Sequence, residues 1–465
     1  MKRYGLYPEM RAQGDWCICG SESGEPKEWL FLGRLAEYGR RYNVRFDATR
    51  EKVMAIVGKR GQGKSYTLGS VVEGLCTSDS ESAIAATSKQ RGVLLFDTLN
   101  IFQWMNVSVF STGPQSAEMR NQAAVLQSWG LPPVALDVDV WIPAGYRYRL
   151  SSPTFKDLYL NVPDFSLDDW SSLLDLDIVR DIKGQYFTEV FQKVVDLGWT
   201  DMEGSFHRPK RNYTISNLVE CIQNDEDNEL SVYRADTRRA VLQQLRAYER
   251  HPIFSGSGTS LRQLIAPGRA SVVLLNSLPE DLRGVLVSVI VKRLLQERAE
   301  ASETVKDLLI NPDLDEDQIK EKEELVARSV PKAWVVIDEA QNIVPAGKRT
   351  SATTSLVRFV KEGRNFGLSF VVTTQQPRAL DPNVLSQVET FVVHKLVSQS
   401  DIDYILDNLK SPLPTEIKDD NISISIRELI RDIGVGQAVV SDTNTSRCFV
   451  MEVRPRVSAH GGFEA

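Results

Sequence analysis

The chain has 465 residues, 42% of them apolar and 25% charged, which excludes a mainly disordered, collagen-like or membrane-bundle protein. A total of 55 Lys and Arg against 62 Asp and Glu gives a formal charge of −7, which excludes a strongly basic nucleic-acid coat but not a local basic patch. The five cysteines are too few and too scattered for a disulfide framework. The sequence shows neither a signal peptide nor an apolar run of the ~20 residues that span a bilayer, so we expect a cytoplasmic protein without membrane contact.

Short runs rich in Val, Ile and Leu recur along the chain and alternate with helical patterns. The runs are nearly continuous in apolar residues, as in strands that are covered on both faces of a parallel sheet. The predicted strands are 53–57, 93–96, 272–275, 334–337, 368–372 and 391–393, and the clearest predicted helices are 65–75, 282–300 and 355–362. This alternation predicts an α/β core with a mainly parallel sheet.

Residues 151–264 interrupt this rhythm, because helical patterns there come with few strand signals. We therefore predict a helical insertion that divides the α/β core into two segments. The predicted division is a short N-terminal segment at 1–50, the first core segment at 51–150, the insertion at 151–264, the second core segment at 265–442 and an extended C-terminal arm at 443–465. The acidic stretch 311–324 is predicted to be a mobile loop or an exposed helix.

Residues 58–65 read G-K-R-G-Q-G-K-S, which matches the phosphate-binding pattern G-x-x-x-x-G-K-[S/T] at every defined position. A predicted strand precedes the pattern and a predicted helix follows it, so backbone N–H groups and the helix dipole would surround a polyphosphate. Lys64 would reach the β- and γ-phosphates and the Ser65 hydroxyl would hold Mg²⁺. A glycine turn without a ligand is the alternative. The predicted ATP-binding residues are Gly58, Gly61, Gln62, Gly63, Lys64, Ser65 and Tyr66.

Two carboxylates follow the predicted strand at 334–337, where ligands bind in open α/β sheets. Asp338 would hold Mg²⁺ through water, and Glu339 would polarise the attacking water as a general base. The alternative is a charged strand end that caps the next helix. The adjacent Asp-Glu pair favours hydrolysis of ATP over transfer to a small acceptor.

The next strand ends in T-T-Q-Q-P at 373–377, which places the amide of Gln375 where it can contact a γ-phosphate or the lytic water. Arg364 precedes that strand in a short loop between two glycines, a position that suits an arginine finger acting on a neighbour's nucleotide. A surface arginine or a local salt bridge explains Arg364 equally well from the residues alone.

Together these motifs resemble the HerA-like branch of the HerA/FtsK superfamily of P-loop ATPases. The resemblance rests on the P-loop, V-L-L-F-D-T-L at 93–99, V-I-D-E-A at 336–340, E-G-R-N-F-G at 362–367, T-Q-Q-P at 374–377 and V-R-P-R-V-S-A-H-G-G at 453–462. It implies a RecA-like core that forms a homohexameric ring around double-stranded DNA and works with a partner nuclease or effector in DNA end processing or anti-phage defence. It also implies ATP and Mg²⁺ as cofactors, Gln375 as γ-phosphate sensor and Arg364 as a finger acting in trans.

The chain departs from the family pattern at three places. Gln341 stands where members often have His, and Gln376 stands where members often have Arg. The segment 1–50 is too short for the complete β-barrel with which such proteins usually begin. We therefore expect no complete barrel.

Basic loops would line the pore of such a ring, because phosphate contacts need positive charge and no base code. The candidates are Lys348 and Arg349, or Arg208, Lys210 and Arg211 in the insertion; solvated surface charge is the alternative for both. The C-terminal arm carries Arg454, Arg456 and His460, and it would either reach an adjacent subunit's nucleotide or form a closing strand. We predict no metal apart from Mg²⁺. The alternative function is a ring-forming ATPase scaffold that regulates a partner nuclease or an NAD-consuming effector without processive translocation.

Overall fold

Strands and helices alternate through most of the chain. The structure, a computed structural model, describes residues 12–13, 16–21, 26–36, 42–77, 84–88, 90–109, 117–147, 152, 154–226, 233–254, 257–410, 417–419 and 422–462. The strands are β1 Ala12–Gln13, β2 Trp16–Cys19, β3 Trp29–Leu35, β4 Asn43–Asp47, β5 Val53–Val57, β6 Ala85–Ala86, β7 Gly92–Asp97, β8 Val138–Pro143, β9 Lys156–Leu158, β10 Trp199–Thr200, β11 Phe206–His207, β12 Ala270–Leu274, β13 Ala333–Ile337, β14 Leu368–Thr374, β15 Thr390–Val393, β16 Ile417–Asp419, β17 Ile422–Ile424, β18 Gln437–Asp442 and β19 Arg447–Val453. The α-helices are α1 Lys64–Cys76, α2 Ala117–Trp129, α3 Leu167–Leu173, α4 Ile182–Gln192, α5 Ile215–Asn224, α6 Ala235–Glu249, α7 Leu261–Leu264, α8 Glu280–Ile310, α9 Glu316–Arg328, α10 Ser351–Glu362, α11 Pro382–Leu385, α12 Gln399–Asn408 and α13 Ile426–Asp432.

One 15-stranded sheet carries the fold, in the order β1-β2-β4-β3-β19-β18-β15-β5-β14-β13-β7-β12-β8-β9, with β6 paired to β3. From β15 to β9 all neighbouring strands run parallel. From β15 to the other edge the pairs are antiparallel except for β2 and β4. Every residue of β5, β7, β13 and β14 is buried, as expected of strands covered on both faces. The predicted α/β fold with a mainly parallel sheet is confirmed.

The six predicted core strands are all present, and their ends shift by at most two residues. Among the strands of the main sheet, the prediction missed β1 to β4, β6, β8, β9 and β18, while β19 corresponds to the closing-strand alternative for the C-terminal segment. The sequence of β18, Q-A-V-V-S-D, is polar at both ends although all six residues are buried, so its short apolar centre gives a weak signal. The acidic stretch 311–324 lies mostly in α9, which has no buried residue, so the exposed-helix alternative describes it.

Residues 151–264 contain helices α3 to α7, a π-helical turn at Lys193–Leu197 and the small hairpin of β10 and β11. Helix α3 packs against α8 and α10 and so joins this region to the core. Strand β9 lies in the same range but extends the main sheet beside β8. The predicted domain boundaries stay a prediction. The main sheet continues through β9, beyond the boundary predicted at residue 150.

Strands near both ends of the described residues belong to the main sheet instead of flanking it. Strand β4 pairs with both β2 and β3, and β3 pairs with β19. Strand β19 is paired on its other side with β18, so the first half of the predicted C-terminal arm is an interior strand. Among the described residues, we find no helix with the length and apolar character needed to cross a membrane.

Candidate functional site

The loop between β5 and α1 has the backbone conformation of a phosphate cradle. Gly63 has φ +109°, a value that side-chain-bearing residues rarely adopt, and it directly precedes α1. A Cβ on Gly58 would lie 2.6 Å from the Cβ of His394, so the loop also needs glycine to pass over β15. The conformation of the loop is therefore set by its packing against His394 and by the start of α1 at Lys64.

A cleft of about 990 Å³ opens above this loop. It brings together the predicted residues Gly61, Gly63, Lys64, Ser65, Tyr66, Glu339 and Gln375. Its remaining lining comes from Arg60, Thr67, Leu99, Ile101, Val125, Trp129, Val435, Gly436, Glu452, Val453, Pro455, His460, Gly461 and Gly462. The cleft has the size of a small-molecule site. A large share of its wall comes from segments after residue 434, and of these only the motif at 453–462 was singled out from the sequence.

Asp338 lies at the end of β13 and is fully buried. Its Oδ1 accepts a hydrogen bond from the Thr373 hydroxyl at 2.7 Å, while its Oδ2 is buried without a partner among the described residues. Burial, the neighbouring Asp97 and Glu339 raise the pKa of Asp338 to about 8. A bound cation would stabilise the charged form of this buried carboxylate, so the free Oδ2 of Asp338 fits a Mg²⁺ ligand.

Glu339 follows in the left-handed conformation with φ +50°, which is uncommon for a residue with a side chain. Its backbone N–H donates to Thr373 Oγ1 at 2.8 Å. Its Oε1 accepts from Gln375 Nε2 at 2.7 Å, and its Oε2 accepts from Gln341 Nε2 at 2.8 Å. Two amide side chains therefore hold the carboxylate on the cleft wall, in a backbone geometry that Thr373 fixes.

Lys64 faces this carboxylate, with 3.5 Å between Lys64 Nζ and Glu339 Oε1. Both side chains are nearly buried, at 4% and 2% exposure. Burial lowers the pKa of Lys64, and the charges of Glu339 and Asp338 oppose that shift. A polyphosphate bound to Lys64 would draw the ammonium away from Glu339, because both anions compete for one cation.

His394 is a residue of this site that the sequence did not single out. It is fully buried beneath the cradle at the end of β15. Its Nδ1 lies 2.8 Å from the Gln437 carbonyl, which can only accept, so Nδ1 donates and Nε2 accepts from the Thr67 hydroxyl at 2.8 Å. Burial lowers the pKa of His394 to about 4, so a neutral imidazole supports the cradle. The sequence signal for His394 is its position directly after β15, the strand that neighbours β5.

Arg364 does not line the cleft. It lies in a 3₁₀ turn at Gly363–Phe366 before β14 and forms an ion pair with Glu389. Gln375 follows the other end of β14, and a strand of seven residues spans about 23 Å. Arg364 thus lies at the opposite edge of the sheet from the cleft of its own chain.

The arginines of the predicted C-terminal arm are not available as a free charged tail. Arg454 and Arg456 are fully buried, and both form ion pairs with Glu73 of α1, at 2.8 Å and 3.3 Å. Burial alone would raise the pKa of Glu73, but the two arginines and the Ser458 hydroxyl bring it below its ordinary value. The closing-strand alternative therefore describes this chain, and the sequence missed Glu73 because its partners lie about 380 residues away.

The candidate pore loops lie apart from the cleft. Lys348 pairs with Glu280 at 2.8 Å with both side chains 61% exposed, and Arg349 donates to the Thr354 hydroxyl. A groove of about 610 Å³ runs beside them along α10 and includes Arg358. In the insertion, Arg208, Lys210 and Arg211 are exposed.

The parallel sheet, the glycine cradle and the carboxylate pair beside Lys64 define a P-loop ATPase. Residues 30–294 match the family model "Helicase HerA, central domain", and the chain belongs to this family. The predicted resemblance is thereby confirmed. Residues 276–398 also match the model "Zonular occludens toxin (Zot)".

Curated relatives include two proteins named DNA double-strand break repair helicase HerA. The protein of Sulfurisphaera tokodaii is 23% identical over 293 residues, which are 60% of this chain and 51% of that protein. The protein of Pyrococcus furiosus is 25% identical over 222 residues, which are 46% of this chain and 38% of that protein. The chain therefore matches about half or less of their length.

Among solved structures, VirB4 of Thermoanaerobacter pseudethanolicus is similar over 93% of this chain and 98% of that one. The TM-score is 0.50 and the sequence identity is 13%, so the similarity concerns the fold alone.

Proposed function

We propose that the chain is the ATP-hydrolysing component of a ring-shaped motor that acts on double-stranded DNA. The observation that supports it most directly is the Glu339 carboxylate in the cleft, 3.5 Å from Lys64 Nζ of the cradle, with Asp338 buried directly before it in the chain. Membership of the HerA central-domain family supports it, as do relatives that are named DNA repair helicases.

The groups at the cradle have separate roles in hydrolysis. The cradle and Lys64 bind the β- and γ-phosphates, and Ser65 and Asp338 would hold Mg²⁺. An ion held by these residues would supply neutralisation of the charge on the phosphate oxygens. Glu339 accepts a proton from the attacking water. The side-chain amide of Gln375 donates a hydrogen bond to the Glu339 carboxylate, so a contact of Gln375 with the γ-phosphate would couple the phosphate to Glu339.

The position of Arg364 supports a ring in which neighbouring subunits share each nucleotide. At the opposite edge of the sheet, Arg364 cannot reach the cleft of its own chain, so a finger role requires a second copy. The ion pair between Arg364 and Glu389 has to break before Arg364 can contact a neighbour's nucleotide. The Arg364 side chain is 38% exposed, so a neighbouring subunit can reach it. A homohexamer satisfies this requirement through head-to-tail contacts that close.

Subunit mixing tests the trans arrangement. Arg364→Ala and Glu339→Gln proteins are each expected to hydrolyse ATP poorly. A 1:1 mixture forms some interfaces that combine an intact Glu339 from one subunit with an intact Arg364 from the other, so activity should rise above either protein alone. A mixture of Arg364→Ala with Lys348→Ala serves as the control for assembly. If activity does not recover in the first mixture, Arg364 does not act on a neighbour's nucleotide.

The groove beside α10 is the proposed DNA contact. Its basic residues are exposed and weakly paired, so phosphates can replace their present partners. Lys348→Glu/Arg349→Glu should abolish stimulation of ATPase by double-stranded DNA while basal ATPase persists. The matched variant Arg208→Glu/Lys210→Glu in the insertion should retain stimulation. The opposite pattern would move the DNA contact to the insertion.

One observation favours a partner protein, whether the ring is a motor or a scaffold. The β10–β11 hairpin and the adjoining turn expose three apolar side chains, Leu197, Met202 and Phe206, at 60% or more. Such patches mark interaction sites in soluble proteins. We propose a nuclease or defence effector as the occupant. Pull-down of the co-expressed neighbouring gene product, lost in Met202→Glu/Phe206→Glu, tests this, and retention would contradict it.

A further inference from the structure

The cleft extends to both sides of β5, the strand that leads into the cradle. On one side, β14 and β13 lead to Gln375 and Glu339, the groups assigned to the γ-phosphate and the attacking water. On the other side, β5 pairs with β15, β15 with β18 and β18 with β19. Because the triphosphate separates the γ-phosphate from the nucleoside, we expect the base of a nucleotide held by the cradle to lie on this second side.

The second side presents apolar side chains to the cleft. Val435 directly precedes the residue before β18 and is 72% exposed. This segment lies against the cradle, because a Cβ on Gly63 would be 3.7 Å from Gly436 Cα. Helix α2 contributes Val125, which is 45% exposed, and Trp129 one turn later. Exposed apolar side chains within a cleft are typical of a surface that a ligand covers.

Arg34 holds the indole of Trp129 on this side of the cleft. Its guanidinium carbon lies 4.2 Å from the centroid of the indole ring, and its Nη2 donates to the Trp129 carbonyl at 3.3 Å. Its Nε donates to Asn43 Oδ1 at 3.4 Å. Arg34 lies on β3 opposite Glu452 of β19, which also lines the cleft. The indole is therefore held beside the end of β19, which lowers the entropy cost of a contact with a ligand.

We propose that Trp129 contacts the base of the bound nucleotide, and that Val125 and Val435 complete the apolar side of this base site. An indole suits this ligand, because every nucleobase has a π-face on which an aromatic ring can pack. Arg34 is a positioning residue, since it contacts the indole but does not itself line the cleft. The inference rests on the proposed function, because it concerns the base of the nucleotide whose phosphates bind the cradle.

Calorimetry on the full chain separates contacts with the base from contacts with the phosphates. The probes are ADP, a non-hydrolysable ATP analogue and inorganic triphosphate, which has no base. Trp129→Leu should weaken binding of both nucleotides roughly tenfold or more and leave triphosphate binding at the wild-type level. Trp129→Phe keeps an aromatic ring and should retain most of the affinity. Unchanged nucleotide binding in Trp129→Leu, or an equal loss for triphosphate, would overturn the inference.

Trp29 provides a matched control. The guanidinium of Arg45 lies 4.1 Å from the centroid of its ring, the same kind of contact that Arg34 makes with Trp129, but Trp29 does not line the cleft. Trp29→Leu should therefore leave nucleotide affinity unchanged. An equal loss of affinity in Trp29→Leu would contradict the inference, because packing of the tryptophans and not contact with the base would then determine binding.

Val125 provides a second variant that leaves the packing of the indole intact. Its side chain is exposed, so Val125→Glu should unfold at the wild-type temperature, while the carboxylate in the apolar base site weakens nucleotide binding. Ala124 is also exposed on α2 but does not line the cleft, so Ala124→Glu should bind nucleotide like wild type. Equal affinities in the two variants would contradict this location of the base.

A double-mutant cycle tests the positioning role of Arg34. Arg34→Leu should weaken nucleotide binding in the wild-type background but cause no further loss in Trp129→Leu, because Arg34 acts through the indole. Additive losses would contradict that role. Failure of the proposed function has a different signature, since the wild-type chain would then bind neither the nucleotides nor triphosphate.

Discussion

The two walls of the cleft are built from different kinds of sequence information. One wall consists of residues of the cradle at 58–65, Glu339 and Gln375, and each of these belongs to a short contiguous motif after a strand. The other consists of the tail at 454–462, which Glu73 holds from about 380 residues away. The reacting groups are therefore locally encoded, whereas the enclosure around them depends on long-range pairing.

The largest expected effect concerns the anchor of the tail wall. Glu73→Gln leaves two fully buried arginines without their carboxylate, and removing one partner of a buried ion pair costs about 3–5 kcal/mol. We expect a loss of that size in the free energy of unfolding, measured by urea denaturation. The exposed pair of Arg358 and Glu362 supplies the control, and Glu362→Gln should cost less than about 1 kcal/mol. Equal losses would show that the tail is not anchored by Glu73.

A smaller effect concerns the support beneath the cradle. The pKa of His394 is lowered to about 4 by burial, against an ordinary value of 6.5. Between these values the unfolded chain binds a proton that the folded chain does not, so stability falls as the pH drops from 6.5 towards 4. The contribution is at most about 3 kcal/mol. Unfolding measured across this range should show a flatter pH dependence in His394→Asn. The same slope in both proteins would contradict the neutral buried imidazole.

The smallest effect concerns the motif wall. The Thr373 hydroxyl donates to Asp338 and accepts from the backbone of Glu339, so Thr373→Val removes both contacts at nearly constant volume. The loss of a buried hydrogen bond costs about 1–3 kcal/mol, which corresponds to a roughly ten- to hundredfold lower kcat/KM for ATP. Thr373→Ser keeps the hydroxyl and should retain most activity. If Thr373→Ser were as impaired as Thr373→Val, the methyl group would be the important feature instead.

The sequence predicted the parallel core strands because continuous apolar runs identify strands covered on both faces. It placed Asp338 and Gln375 together because adjacent parallel strands end at the same edge of a sheet. It missed β18 because polar residues interrupt the apolar signal, and it missed His394 because the histidine belongs to no motif. It left Arg454 and Arg456 open between an arm and a closing strand, since charged residues give no local sign of burial. Their partner Glu73 is visible only once the fold is formed.

The most direct test of the account is ATP hydrolysis by wild type and by Glu339→Gln in the presence of Mg²⁺ and double-stranded DNA. The substitution keeps the size of the side chain but removes the proton acceptor. We predict that kcat falls roughly 10²- to 10⁴-fold while ATP still binds through the cradle and Lys64. Hydrolysis at the wild-type rate in Glu339→Gln would contradict the assignment of this cleft as the site of reaction.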